Sequence, residues 1–140
     1  MKPYTDLEQS KKLAEILPID TADMYYTYVL PKSKKICHIP NIGNPKNAIE
    51  WYKAGKQPLT IEEFCVPAWS LAALLEQLPY EVVDDDGNSM YLSMNKDDDE
   101  YQLIYSDRYD EYEDIETSSY ENFVDACCDM ILKLHELKML

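Results

Sequence analysis

The chain is poor in glycine, in positive charge and in long apolar runs, and each shortage excludes something. Three glycines in 140 residues leave no material for a Gly-rich phosphate cradle. GxGxxG, P-loop, GxSxG and HExxH patterns are all missing. No stretch approaches the roughly 20 apolar residues that a membrane-spanning helix needs. The opening MKPYTDLEQS lacks the apolar run of a secretory signal. The expected location is therefore cytoplasmic, with no membrane partner. Of four cysteines, Cys37, Cys65, Cys127 and Cys128, no two are spaced as CxxC, so neither a zinc ribbon nor a thioredoxin-type site is indicated. They read as buried thiols of a reducing compartment.

Basic residues number 13 against 27 acidic ones, a net charge of -14. The imbalance is local. Residues 1–79 hold nine of each sign, and residues 80–140 hold four basic and eighteen acidic. An excess of this sign repels nucleic-acid backbones and anionic lipid, which argues against direct nucleic-acid binding. It leaves a basic protein or a divalent cation as the partner that charge favours.

What is present suits one ordinary α+β domain over 1–140. The reading gives an antiparallel sheet, a hairpin plus a β-meander, packed against three helices at 5–17, 70–78 and 119–138. Thr5 and Glu8 have the form of a capping box for the first helix, which Pro18 ends. The aromatic, β-branched run at 24–30 reads as a strand, and KICHI at 35–39 as its hairpin mate. Residues 40–59, with three prolines and two glycines, read as a loop insertion in which KNAIEWYKAG makes two helical turns ending at Gly55. Thr60 and Glu63 suggest a further capped turn.

VPAWSLAALLEQLP is the most apolar stretch. Ser70 suits an N-cap, and Leu71, Leu74, Leu75 and Leu78 fall on one helical stripe. It reads as a central core helix, wet only at Glu76 and Gln77, with Trp69 as a packing anchor. Strands follow at 80–84, around 88–94 and at 101–106, with a weaker one within 108–115. Alternation sets Met90, Leu92 and Met94 against Tyr91 and Ser93, and Tyr101, Leu103 and Tyr105 against Gln102, Ile104 and Ser106. The closing helix is capped at Ser118 or Ser119 and carries Phe123, Cys127, Met130, Ile131, Leu134 and Leu137 inward.

No catalytic, cofactor-binding or metal-ligating residue is assigned, and no cofactor is expected. His38 and Cys37 are neighbours on a strand and face opposite sides, a poor dyad. An EF-hand register with Gly87 at position 6 places Asp84 and Asp86 correctly but Val82 and Ser93 wrongly. The candidate partner-binding residues are the acids Asp84, Asp85, Asp86, Asp97, Asp98, Asp99, Glu100, Asp110, Glu111 and Glu113. The expected function is a non-catalytic module that binds a basic partner through this face. The alternatives are a divalent-cation module using the same turns, or a small enzyme with an unrecognised site. Tyrosines interleaved with the acids of 97–121 also suggest mimicry of a nucleic-acid backbone, against the simpler reading that their rings pack inward.

VPAWSLAALLEQLP, DACCDMILKLHELKML and LEQSKKLAEILPIDTADMYY together resemble a group of small proteins from Bacteroides-type gut bacteria, their prophages and mobile elements. The resemblance covers about a third of the chain and implies a compact α+β fold in a mobile-element setting. It brings no activity, because none is known for the group, and so no site residue.

Overall fold

The computed structural model describes residues 2–29, 35–53, 60–109 and 113–140. The fold is α+β with antiparallel pairing throughout, as the sequence predicts. The strands, however, divide into two sheets, in two compact units. One unit is Tyr4–Ala73. The other is Leu74–Leu140 together with the N-terminal residues up to Pro3. Among the described residues no helix is long and apolar enough to cross a membrane.

The first unit opens with α1 (Leu7–Ala14). Its cap is Asp6, not Thr5: the Asp6 carboxylate accepts from the Gln9 amide while the Gln9 side chain accepts from the Asp6 amide. Thr5 is withdrawn from capping because it is buried. Its hydroxyl accepts from the Trp69 amide at 3.1 Å and meets the Ser10 hydroxyl at 2.7 Å, and its carbonyl accepts from the Tyr26 hydroxyl at 2.7 Å. A 3₁₀ turn at Ile19–Thr21 follows, then β1 (Met24–Thr27).

The predicted hairpin mate at 35–39 shrinks to one bridge, Tyr28 with Ile36. The neighbours of β1 are instead β2 (Asn41–Ile42) and β3 (Cys65–Ala68), in the order β2-β1-β3. β3 lies where the sequence suggests only the approach to a helix. Pro67 is accommodated because β3 is an edge strand, where a missing amide breaks no inner ladder. Tyr26, Val66 and Ala68 form the core of this sheet, with Leu7, Met24, Tyr28 and Ile36 packed on it.

The described part of the predicted loop, residues 40–53, is more regular than a loop. α2 (Pro45–Lys53) starts with proline at its first position. The Asn44 side-chain oxygen Oδ1 accepts from the Lys46 amide at 2.9 Å, and its Nδ2 donates to the Ile19 and Ala22 carbonyls. One side chain thus caps the helix and ties it to the 3₁₀ turn. The proposed stop at Gly55 lies outside the described residues, as does most of the turn after Pro31. α3 (Ile61–Phe64) has the predicted Thr60–Glu63 capping box.

α4 (Leu71–Gln77) carries the chain from the first unit into the second. The Ser70 hydroxyl accepts from the Ala73 amide at 3.2 Å, the predicted cap, and is itself held by Asp23. The leucine stripe is only partly buried. Leu74 is 0% exposed and Leu78 is buried, but Leu75 is 41% exposed and Ala72 is exposed. Ala73 takes the inward place expected of Leu75. The helix is therefore wet over Ala72, Leu75 and Glu76, a wider face than Glu76 and Gln77 alone.

The second unit is a four-stranded meander, β4 (Glu81–Val83), β5 (Ser89–Asp97), β6 (Glu100–Ser106) and β7 (Ile115–Glu116), in that order. Its buried face follows the predicted alternation, with Val82, Met90, Leu103 and Tyr105 inside, but Met94 on the same face is 52% exposed. α5 (Phe123–Glu136) packs on β6. Its cap is Asn122, whose side chain accepts from the Val124 amide at 2.9 Å. Ser118 and Ser119 lie outside the helix because Thr117 to Tyr120 stay extended to pair with β6. There the Thr117 amide donates to Leu103, and Tyr120 and Tyr101 exchange backbone bonds. Leu137, expected inward, is exposed at the C-cap of the helix.

Cys65 and Cys127 are buried, and burial pushes both thiols up to about 12, Glu62 adding to the effect at Cys65. The sign follows directly. An unfolded thiol ionises near its ordinary value of 9.0, while the folded one keeps its proton to about 12. Above pH 9.0 the unfolded chain therefore binds fewer protons, and stability falls as pH rises. Thermal melts followed by circular dichroism are expected to show a midpoint that falls as pH rises above that value. Cys65→Ala and Cys127→Ala should each flatten the fall. A midpoint unchanged up to pH 11 (about two units above the ordinary thiol value) would contradict this assignment.

Candidate interaction site

The meander determines where the acids stand. Consecutive hairpin turns of a meander fall at opposite ends of the strand they share. The β4–β5 turn holds Asp84, Asp85 and Asp86, and the β5–β6 turn holds Asp98 and Asp99 between Asp97 and Glu100. The nine residues of β5 separate the two turns, about 30 Å at the usual rise per residue. These acids do not form one face, and no single cation can bridge them.

Asp84 serves its own turn. Its carboxylate accepts from the Asn88 amide at 2.8 Å, the Asn88 side chain at 3.1 Å and the Asp86 amide at 2.9 Å. These bonds, the Asn88 amide first, hold its carboxyl below the usual carboxylate range. Gly87 completes the turn at a φ of +83°, where only glycine is free of strain. Asp85 and Asp86 are exposed at this tip.

At the far end Asp97, Asp98, Asp99 and Glu100 are all exposed, with Asp97 paired to Glu100 across the hairpin and Asp98 at a φ of +51°. None of the four is ion-paired among the described residues. Glu113 is exposed beside a groove of about 610 Å³ lined by Asp114, Ile115, Glu116, Lys133 and Leu137. Asp110 and Glu111 lie outside the described residues. Among those described, no three His, Cys, Asp or Glu side chains gather as a metal site would require.

The interleaved tyrosines are mostly taken up by packing. Tyr105 is fully buried, with its hydroxyl on the Pro79 carbonyl at 2.6 Å. Tyr101 stacks on Phe123 at 5.3 Å, and the Tyr120 hydroxyl reaches Asp129. Tyr109, by contrast, is 81% exposed, and Tyr112 lies outside the described residues. His38 and His135 are exposed, and the protonated thiols of Cys65 and Cys127 are unsuited to nucleophilic attack.

No family model, no curated protein and no solved structure matches this chain. The site's own geometry therefore carries the functional argument.

That geometry includes residues absent from the sequence-level candidates. On the sheet face opposite α5, Tyr91 stands beside Glu81 in the β4–β5 register and beside Ser106 in the β5–β6 register. Tyr80 lies 5.6 Å from the Tyr91 ring, centroid to centroid. The Arg108 guanidinium sits over that same ring at 4.8 Å. Tyr91, Asp107, Arg108 and Tyr109, with Gly87 to Ser89, enclose an open cavity of about 320 Å³. The sequence carries only part of the signal: Arg108 is the only arginine of the chain and alternation places Tyr91 on the face away from the core, but nothing local pairs the two.

Proposed function

We propose that the protein is a non-catalytic binding module whose meander unit engages a basic protein partner. The observation that carries this reading is the β5–β6 tip, where four consecutive acids project into solvent without an ion pair among the described residues. The turn itself suits Asp98, but it does not require acids at all four positions, and their mutual repulsion costs stability. A partner that presents lysine or arginine would relieve it and be steered toward it. The resemblance to proteins of prophages and mobile elements makes a host protein a fitting source of such a partner.

Fluorescence anisotropy with labelled oligo-arginine, oligo-lysine and oligo-glutamate peptides tests the reading. Both basic peptides should bind at low salt and release as the Debye length shortens, and oligo-glutamate should not bind. A variant with Asp97→Asn, Asp98→Asn, Asp99→Asn and Glu100→Gln should bind more weakly than wild type. Failure of the basic peptides to bind at low salt would overturn the proposal.

A further inference from the structure

We infer that the Tyr91 cavity is a guanidinium-recognition site, that its partner is an arginine-rich segment, and that Arg108 is an internal occupant which that segment displaces. The inference rests on the basic-partner reading above and names the group recognised. Three observations meet at one place. A guanidinium is already seated: Arg108 lies over the Tyr91 ring at 4.8 Å, a distance at which the π-face attracts a cation. Tyr80, at 5.6 Å from Tyr91, extends the aromatic surface and is exposed, as Tyr109 is at the cavity wall. The surroundings are acidic, with Glu81 beside Tyr91 on the same face and Asp85, Asp86 and Asp107 at the same end of the sheet.

Aromatic residues that stay partly open among carboxylates suit arginine better than lysine, because the planar guanidinium stacks while its edge still donates to carboxylates. The opposite tip cannot do this. The ring adjoining it in sequence, Tyr101, is stacked on Phe123 and approached by Lys96 at 5.4 Å. The two acidic ends thus differ in kind: one attracts charge, and the other reads its shape. Among the described residues Arg108 does not hold an anion; it rests on the ring.

The test is a titration of the full chain with oligo-arginine and oligo-lysine peptides. Tyr91→Ala should weaken oligo-arginine binding by about two- to fivefold, the worth of an exposed cation–π contact, and Tyr91→Phe should retain it. Arg108→Ala should tighten it by a similar factor, because the ring is vacated. Lys11→Ala, which makes the same charge change on exposed α1, should tighten it less. Because Arg108 is the only arginine, its Nε–H gives a single side-chain NMR signal in ¹⁵N-labelled protein. That signal should move from a ring-shifted position toward the free-arginine value as unlabelled oligo-arginine is added.

If Arg108→Ala weakens binding, Arg108 is a contact residue and the displacement is wrong. If peptide binds but Tyr91→Ala and Arg108→Ala leave affinity and the arginine preference unchanged, the cavity is not the site, and the basic-partner reading stands alone. If neither basic peptide binds wild type, both readings fall together.

Discussion

Trp69→Ala is expected to lose about 3–5 kcal/mol of unfolding free energy, the range for truncating a buried aromatic side chain. Trp69 is 0% exposed and is the largest fully buried side chain among the described residues. Its indole N–H donates to the Thr21 hydroxyl at 2.9 Å, and Thr21 in turn donates to the Pro18 carbonyl at 2.6 Å. Its backbone exchanges bonds with Thr5 in both directions, so the residue joins β3 to the start of α1. Truncation leaves those backbone bonds in place and removes the ring, leaving a void at their junction. Against a typical total of about 5–15 kcal/mol, the loss is roughly a fifth or more of the stability. Trp69→Phe keeps most of the volume and forfeits the indole bond, which predicts a loss of about 1–2 kcal/mol. Urea unfolding followed by circular dichroism measures both. Fluorescence adds an independent check, because the other tryptophan, Trp51, is 83% exposed. Native Trp69→Ala protein should emit at a solvent-like wavelength, whereas wild type should show an added blue component. A loss below about 1 kcal/mol, too small for a cavity of this size, would remove Trp69 from the core.

The elements legible in the sequence are those specified by local chemistry. Helical periodicity placed α5, alternation assigned the two faces of β5 and β6, and Thr60 with Glu63 marked α3. The misreadings share one cause, which is that a distant partner competes for a local signal. Thr5 has the side chain of a cap, but Trp69, far along the chain, uses its hydroxyl, so the cap passes to Asp6. Ser118 and Ser119 look like caps, but Thr117 and Tyr120 pair with β6 and keep the chain extended to Asn122. Cys65–Ala68 becomes a strand through pairing with Met24–Thr27, and its own Pro67 argues against a strand. At the candidate site, the run of acids in the sequence suggests one surface, and the meander divides it between two ends. The feature that distinguishes those ends is a single arginine over a tyrosine seventeen positions earlier. That contact depends on β5–β6 pairing, and no local pattern encodes it.

Leu74→Asp is expected to abolish cooperative folding, and the contrast with Leu75→Asp, one residue on, is the decisive part of the experiment. Leu74 is 0% exposed and Leu75 is 41% exposed on the same short helix. An aspartate at 74 would replace a leucine that is 0% exposed, and a buried unpaired carboxylate costs several kcal/mol. Protonation lessens that cost without removing it, because the neutral acid still lacks hydrogen-bond partners and leaves part of the leucine volume unfilled. The combined penalty is comparable to the whole stability of an ordinary domain. The sign of the pH effect follows from burial. Burial raises the folded-state pKa of the new carboxyl, so residual structure should increase as pH falls and disappear as pH rises through that value. Leu74→Met conserves volume and should cost less than about 1.5 kcal/mol, which separates charge from shape. Leu75→Asp, facing water, should stay within about 0.5–1 kcal/mol of wild type, as surface substitutions do. Circular dichroism melts of the three variants decide the matter. A soluble Leu74→Asp protein with a sharp, wild-type-like melt would mean that the inward face of this helix is not the one centred on Ala73, Leu74 and Leu78.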